Sequence, residues 1–288
     1  MNRKECIESG GTTYQKFLWI GEKNPAIHQI KLDTYNEIVI GRYGGNKQAG
    51  AYKNEDGAMT GKGNDWEFAM ILDGHNTAES VHLVVNTIEN EWHTIVSILD
   101  MSVEVALQLV KTHIISVFQS QDFLESCKQV QGETACLICV RKANYVWWLS
   151  IGDCLIYLLH EELHKLGQYA LNQRHFYEWI GDVNTFSLPI PCYSSGIKEL
   201  RTGHNRIIMV TDGVLECGER YYENPVHLYT DCYAAPVSSD IECSVQHVLQ
   251  HVHKNFGRDS TTIISWDYNN PLPATYPSNQ PERRIKHV

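Results

Sequence analysis

The chain has no apolar stretch approaching the length of a membrane span, so no transmembrane helix is expected. Its first residues, MNRKECIESGG, lack the apolar centre of a secretory signal. A G-x-S-x-G nucleophile elbow and a phosphate-cradling P-loop are both missing, which leaves no evident protein nucleophile. Surplus positive charge is missing as well: 24 Lys and Arg against 34 Asp and Glu give a net charge of -10. That balance argues against a broad nucleic-acid or anionic-membrane surface. Nine cysteines, scattered and odd in number, form no disulfide framework. Cys136 and Cys139 make a CxxC, but within TACLICV they fall on opposite faces of a strand and do not form a zinc or redox pair. These absences lead us to expect a reduced, cytoplasmic, monomeric protein without nucleic-acid or membrane partners.

What the 288-residue chain does have is 43% hydrophobic residues, enough for a substantial core. It also has five aspartates placed where strands should end: Asp56 in KNEDG, Asp73 in FAMILDGHN, Asp153 in WWLSIGDC, Asp212 in RIIMVTDG and Asp259 in FGRDSTTIISW. An apolar run opening into Asp-Gly reads as a buried strand that presents a carboxylate at the sheet edge. One such string is an ordinary turn, whereas several suggest acidic groups converging from different strands. Clustered carboxylates repel unless a cation lies between them, and oxygen-only ligands select hard divalent ions such as magnesium or manganese.

The ordered strings Asn54-Glu55-Asp56, Asp73-Gly74-His75, Gly132-Glu133-Thr134-Ala135, Gly152-Asp153, Thr211-Asp212-Gly213 and Asp259-Ser260-Thr261-Thr262 resemble the boxes of the 2C-type metal-dependent protein serine/threonine phosphatases. The resemblance implies an α+β fold, a four-layer α/β/β/α sandwich of two mainly antiparallel sheets flanked by helix pairs. It divides the chain into an extension over 1–36 that contributes edge strands, a catalytic domain over 37–268, and a Pro-rich tail over 269–288 that is expected to be disordered. It also implies two Mn2+ or Mg2+ ions per chain, with a bridging water as the nucleophile towards a Ser/Thr-phosphorylated protein. By motif position, Asp73 would bridge the metals and the Gly74 carbonyl would bind one of them. Asp212 and Asp259 would hold the second, Glu55 and Asp56 would act through coordinated waters, and Asp153 would share a weaker third ion with Asp212. His75 would be the general acid. The family's phosphate-binding arginine falls at Ala51, so Lys53 or Arg42 is the candidate replacement. DGHGG has become Asp73-Gly74-His75-Asn76-Thr77, and GDSR has become Gly152-Asp153-Cys154-Leu155.

Two other readings compete. Loss of the arginine at Ala51 suggests a catalytically weak or inactive pseudophosphatase that serves as a binding module. His160-Glu161-Glu162-Leu163-His164 matches the H-E-x-x-H of zinc proteases. It directly follows the GD box, however, where LIYLL-HEE-LHKL reads as strand, polar turn and strand. The remaining pattern predicts helices over 77–96, 102–120, 171–181 and 240–254, with strands near 17–20, 27–32, 37–41, 66–72, 133–140, 144–151, 154–159, 206–210 and 260–267.

Overall fold

The computed structural model describes residues 3–9, 12–235 and 240–273, with side chains from Lys16 onward; most of the expected tail lies outside the described residues. In chain order the strands are β1 (Arg3–Ser9), β2 (Thr12–Ile20), β3 (Ile30–Tyr35), β4 (Ile38–Tyr43), β5 (Gly57–Lys62), β6 (Trp66–His75), β7 (Glu133–Lys142), β8 (Tyr145–Ile151), β9 (Leu155–Leu159), β10 (Ile180–Gly181), β11 (Ser194–Glu199), β12 (Gly203–Val210) and β13 (Thr261–Asn270). The helices are α1 (Glu79–Asn90), α2 (Trp92–Leu99), α3 (Val103–Phe118), α4 (Gln121–Cys127), α5 (Glu161–Lys165), α6 (Asp212–Leu215), α7 (Pro225–Tyr229) and α8 (Ile241–Lys254).

The strands form two antiparallel sheets. One runs β1-β2-β5-β6-β7-β8-β11, with β10 paired to the start of β7, and the other runs β3-β4-β13-β12-β9. Each long apolar run in the sequence is a strand covered on both faces, its alternate side chains feeding different cores. Along β6, Trp66, Phe68, Met70 and Leu72 pack towards α1–α4, while Ala69 and Ile71 face the second sheet. On β7, Cys136 takes the helix side and Cys139 the inter-sheet side, as strand alternation requires. Along β12, Ile207 and Met209 enter the inter-sheet core, whereas Ile208 and Val210 pack against Val245, Val248, Leu249 and Val252 of α8. Three apolar clusters thus fill the three interfaces of a four-layer α/β/β/α sandwich.

Several local expectations change. The helix expected over 77–96 breaks at Glu91 (φ -85°, ψ 0°) into α1 and α2, a bend that sets Trp92 edge-on against Phe68 at 5.2 Å between ring centroids. Helix α4 was not anticipated. Residues 171–181 are not helical: Leu171 N donates to Ile156 O at 2.9 Å, so the segment spends its backbone on β9 instead of an internal ladder. The expected turn after β9 is the short helix α5, with His160 as its N-cap accepting from Glu162 N through Nδ1 at 3.1 Å. Among the described residues no helix is long and apolar enough to cross a membrane.

Candidate metal centre

The five aspartates come from both sheets and meet at one end of the sandwich. Asp56 precedes β5, Asp73 lies near the end of β6, and Asp153 sits between β8 and β9. Asp212 opens α6 directly after β12, and Asp259 stands just before β13. Two close approaches fix this convergence. A Cβ at Gly213 would stand 2.1 Å from Ser260 O, so only glycine lets the Asp212 turn lie against the Asp259 segment. A Cβ at Gly74 would stand 2.7 Å from Glu55 O, which brings the Asp73 turn against the segment carrying Glu55 and Asp56. Asp56 also ties the sheets together: Thr262 Oγ1 donates to its Oδ2 at 2.6 Å and Thr211 Oγ1 reaches the same oxygen at 3.4 Å. Thr134 of the G-x-T-A string donates its hydroxyl to Asp73 O at 2.9 Å, so that box fixes the backbone of the central aspartate.

Burial sets the electrostatics. Asp56, Asp73, Asp153 and Asp212 are all buried, while Asp259 lies at the solvent edge. Burial pushes the Asp73 carboxyl well above the usual carboxylate range, and the charges of Asp212, Asp56, Asp259 and Asp153 push it further. Asp56 is raised chiefly by burial and then by Asp259 and Asp212, against the opposing hydrogen bonds from Thr262 and Thr211. Asp212 is pushed up to about 6 by burial and by Asp259 and Asp153, and it lies within hydrogen-bond reach of Asp73. The cluster cannot be fully ionised at neutral pH without added positive charge.

The residues fit a hard divalent cation. The donors are all oxygens, and Asp56 Oδ1, Asp73 Oδ2 and Asp153 Oδ1 are buried without a hydrogen-bond partner. Buried carboxylate oxygens are costly unless something pairs with them. Among the described residues no three His, Cys, Asp or Glu side chains stand at the spacing of a preformed metal cage. Without an intervening cation like charges hold one another apart, and the set implied for this site also counts waters and the Gly74 carbonyl.

Beside the cluster opens a cavity of about 450 Å3 lined by Ala51, Lys53, Glu55, Glu216, Arg258 and Asp259, among others. Lys53 pairs with Glu55 and donates to Asn76 O at 2.9 Å. Asn76 takes a left-handed φ of 72°, which asparagine tolerates where the resembled box has glycine. His75 is held edge-on by Trp179, with ring centroids 4.6 Å apart. Arg42 is not at the site: it is buried in β4, paired with Asp33 and lying over Trp19 at 4.9 Å. Burial in a doubly covered strand removes it as a phosphate ligand.

Sequence reasoning missed four residues here. Arg174 and Trp179 arrive on the 171–181 loop, Arg258 lines the cavity wall, and Glu216 follows Asp212 by one helical turn. Only Glu216 left a usable signal, its i,i+4 spacing from Asp212. The H-E-x-x-H histidines have other roles: His160 Nε2 donates to Thr202 O at 3.0 Å, and His164 stacks on Tyr229 with centroids 3.9 Å apart.

No protein-family model matches the chain, and comparison with curated proteins found no match. Solved structures do match. A bacterial serine phosphatase carrying an arginine-to-alanine substitution superposes with TM-score 0.58 at 14% identity, covering 83% of this chain and 96% of that one. RsbX in complex with magnesium gives 0.53 at 12%, covering 83% and 100%. The PPM Ser-Thr phosphatase MsPP from Mycobacterium smegmatis, in complex with cacodylate, gives 0.50 at 12%, covering 81% and 99%. At these identities the similarity concerns architecture: the chain has the fold of the PPM serine/threonine phosphatases.

Proposed function

We propose that the protein is a divalent-metal-dependent phosphomonoester hydrolase acting on Ser/Thr-phosphorylated protein, as a monomer in the cytoplasm. The observation that carries this reading is the pair of buried, unpartnered oxygens on Asp56 and Asp73, beside a cavity open to solvent. Asp73 would hold both of two Mn2+ or Mg2+ ions, with the Gly74 carbonyl on one, Asp212 and Asp259 on the second, and Glu55 and Asp56 acting through water. When bound, such a pair neutralises phosphate charge and supplies a water of lowered pKa.

The chain's own residues do the rest. Lys53 and Arg258, both lining the cavity, draw the phosphate dianion to the acidic centre in place of the arginine absent at Ala51. His75, steadied by Trp179, delivers a proton to the departing serine or threonine oxygen. The hydroxyls of Thr211 and Thr262, both directed at Asp56 Oδ2, keep that carboxylate in place while the cavity fills.

Ala51 favours a second reading, a binding module without turnover. Hydrolysis of a chromogenic phosphate and a phosphothreonine peptide, with manganese or magnesium and then with excess chelator, separates the two. Turnover that needs the metal supports the hydrolase. A folded protein inert with every divalent ion tried supports the binding module.

A further inference from the structure

Arg174 reaches the acidic centre from a loop that belongs to none of the motif boxes. Its Nη2 stands 3.2 Å from Asp153 Oδ2, 3.6 Å from Asp212 Oδ2 and 2.7 Å from Glu216 Oε1. One guanidinium nitrogen thus lies between the two aspartates to which the resemblance assigns a weaker third metal. The side chains of Arg174, Asp153 and Asp212 are only 13%, 4% and 12% exposed, so solvent and salt screen this cluster poorly.

The loop is fastened to the GD box on either side of Arg174. Asn172 Oδ1 accepts from Ile156 N at 2.9 Å, and its Nδ2 donates to Cys154 O and Ser150 Oγ, each at 2.8 Å. His175 N donates to Gly152 O at 3.0 Å. The guanidinium also lies over the Phe176 ring at 4.9 Å. These contacts make its position a property of the fold, unlike that of a free surface arginine.

We propose that Arg174 is a built-in counter-cation that takes the place of a third divalent ion between Asp153 and Asp212, leaving the chain with two metal ions. The proposal rests on the two-metal reading above. An ion bridging these carboxylates would need their oxygens at roughly 2.0–2.6 Å, and Arg174 Nη2 already occupies the space between them. The arginine supplies a fixed charge and no exchangeable water. It is therefore a positioning residue, holding Asp212 towards Asp73 and Asp259. The single-armed contact leaves Asp153 Oδ1 buried and without a donor, an oxygen left for a small cation to take once the guanidinium is removed.

Counting Mn2+ bound to the metal-stripped full chain, by the electron paramagnetic resonance signal of free Mn2+ during titration, tests this without reference to activity. Circular dichroism checks folding. Wild type should bind two ions, Arg174→Gln should gain a third and weaker one, and Arg174→Gln/Asp153→Asn should return to two. Asp153→Asn alone should leave the count and affinities unchanged, because Asp153 is paired to arginine. Three ions on wild type, a folded Arg174→Gln that stays at two, or loss of an ion in Asp153→Asn would each overturn the proposal; the first and last do so even if Arg174→Gln does not fold. Failure of every variant and of wild type to bind any Mn2+ would instead remove the two-metal reading on which it stands.

Discussion

On one side of the acidic centre, Asp56 and Asp73 each keep a buried oxygen that meets no donor; on the other, Asp153 keeps one as well, but it shares the guanidinium of Arg174 with Asp212. Both sides are delivered in the same way, from turns that flank strands of an α/β/β/α sandwich. The compensating charge differs. The first side receives only hydroxyls, from Thr262 and Thr211 to Asp56, which lower its pKa less than burial raises it. The second receives a full positive charge from the chain itself. A fold can thus leave part of a carboxylate cluster to external cations and close the rest with an arginine, and the burial of each group shows where the missing charge must come from.

Removing the carboxylates on the open side should have the largest effect. Asp73→Asn is expected to reduce metal-dependent turnover by about a thousandfold, consistent with loss of several kcal/mol of transition-state stabilisation. Because it also removes one of the repelling charges, the metal-free variant should melt above metal-free wild type. Asp212→Asn should lose turnover similarly, with a smaller gain in melting temperature because Arg174 already offsets part of its charge. Equal stabilisation by the two substitutions would break the distinction drawn between the sides.

The pH dependence of the metal-free protein comes next. Asp56, Asp73 and Asp212 have folded-state pKa values above those of an unfolded chain, that of Asp212 being about 6. Between the unfolded value and the folded one the native state binds more protons, so stability falls as pH rises through this window. For Asp212 the loss runs from about pH 4 to 6. Scanning calorimetry should show the melting temperature dropping over that range in chelator, and the drop flattening when Mn2+ is added. A metal-free melting temperature that rises from pH 4 to 6 would contradict the account.

Substrate binding should change more modestly. Lys53→Ala and Arg258→Ala are each expected to raise the Michaelis constant for a phosphothreonine peptide about tenfold, the scale of one charge-assisted hydrogen bond. Ala51→Arg should lower it if neither residue already saturates the phosphate. Arg42→Ala should leave it unchanged and cost stability instead, because that guanidinium is buried against Trp19. Smallest of all is the double change His160→Ala/His164→Ala. It should keep metal content and turnover, with a stability cost on the order of 1 kcal/mol from the lost α5 cap.

What the sequence made readable follows physical locality. Asp73, Asp153 and Asp212 announce themselves because an apolar strand and the turn that ends it are neighbours in the chain, as with Met209-Val210 before Thr211-Asp212, whereas Asp56 and Asp259, expected at strand ends, stand just before β5 and β13. The opposite facing of Cys136 and Cys139 on β7 was readable for the same reason. Arg174 was not. Its segment, LNQRHFYEWIG, spaces apolar residues like a helix, but Leu171 and Asn172 bond to Ile156 and Cys154, and those tertiary bonds override local propensity. The break at Glu91 and the helix after His160 were hidden too, one set by packing of Trp92 on Phe68 and the other by a histidine side chain capping its own helix. Arg42 looked available because a charge beside a strand reads as exposed, whereas β4 is buried along its whole length.

Anomalous scattering from a Mn2+-soaked crystal tests the central claim most directly. The account predicts two manganese peaks, both within coordination distance of Asp73 and one also reaching Asp212 and Asp259, with Arg174 still seated between Asp153 and Asp212. Absence of manganese at Asp73, or a peak bound to Asp153 with Arg174 displaced, would contradict it.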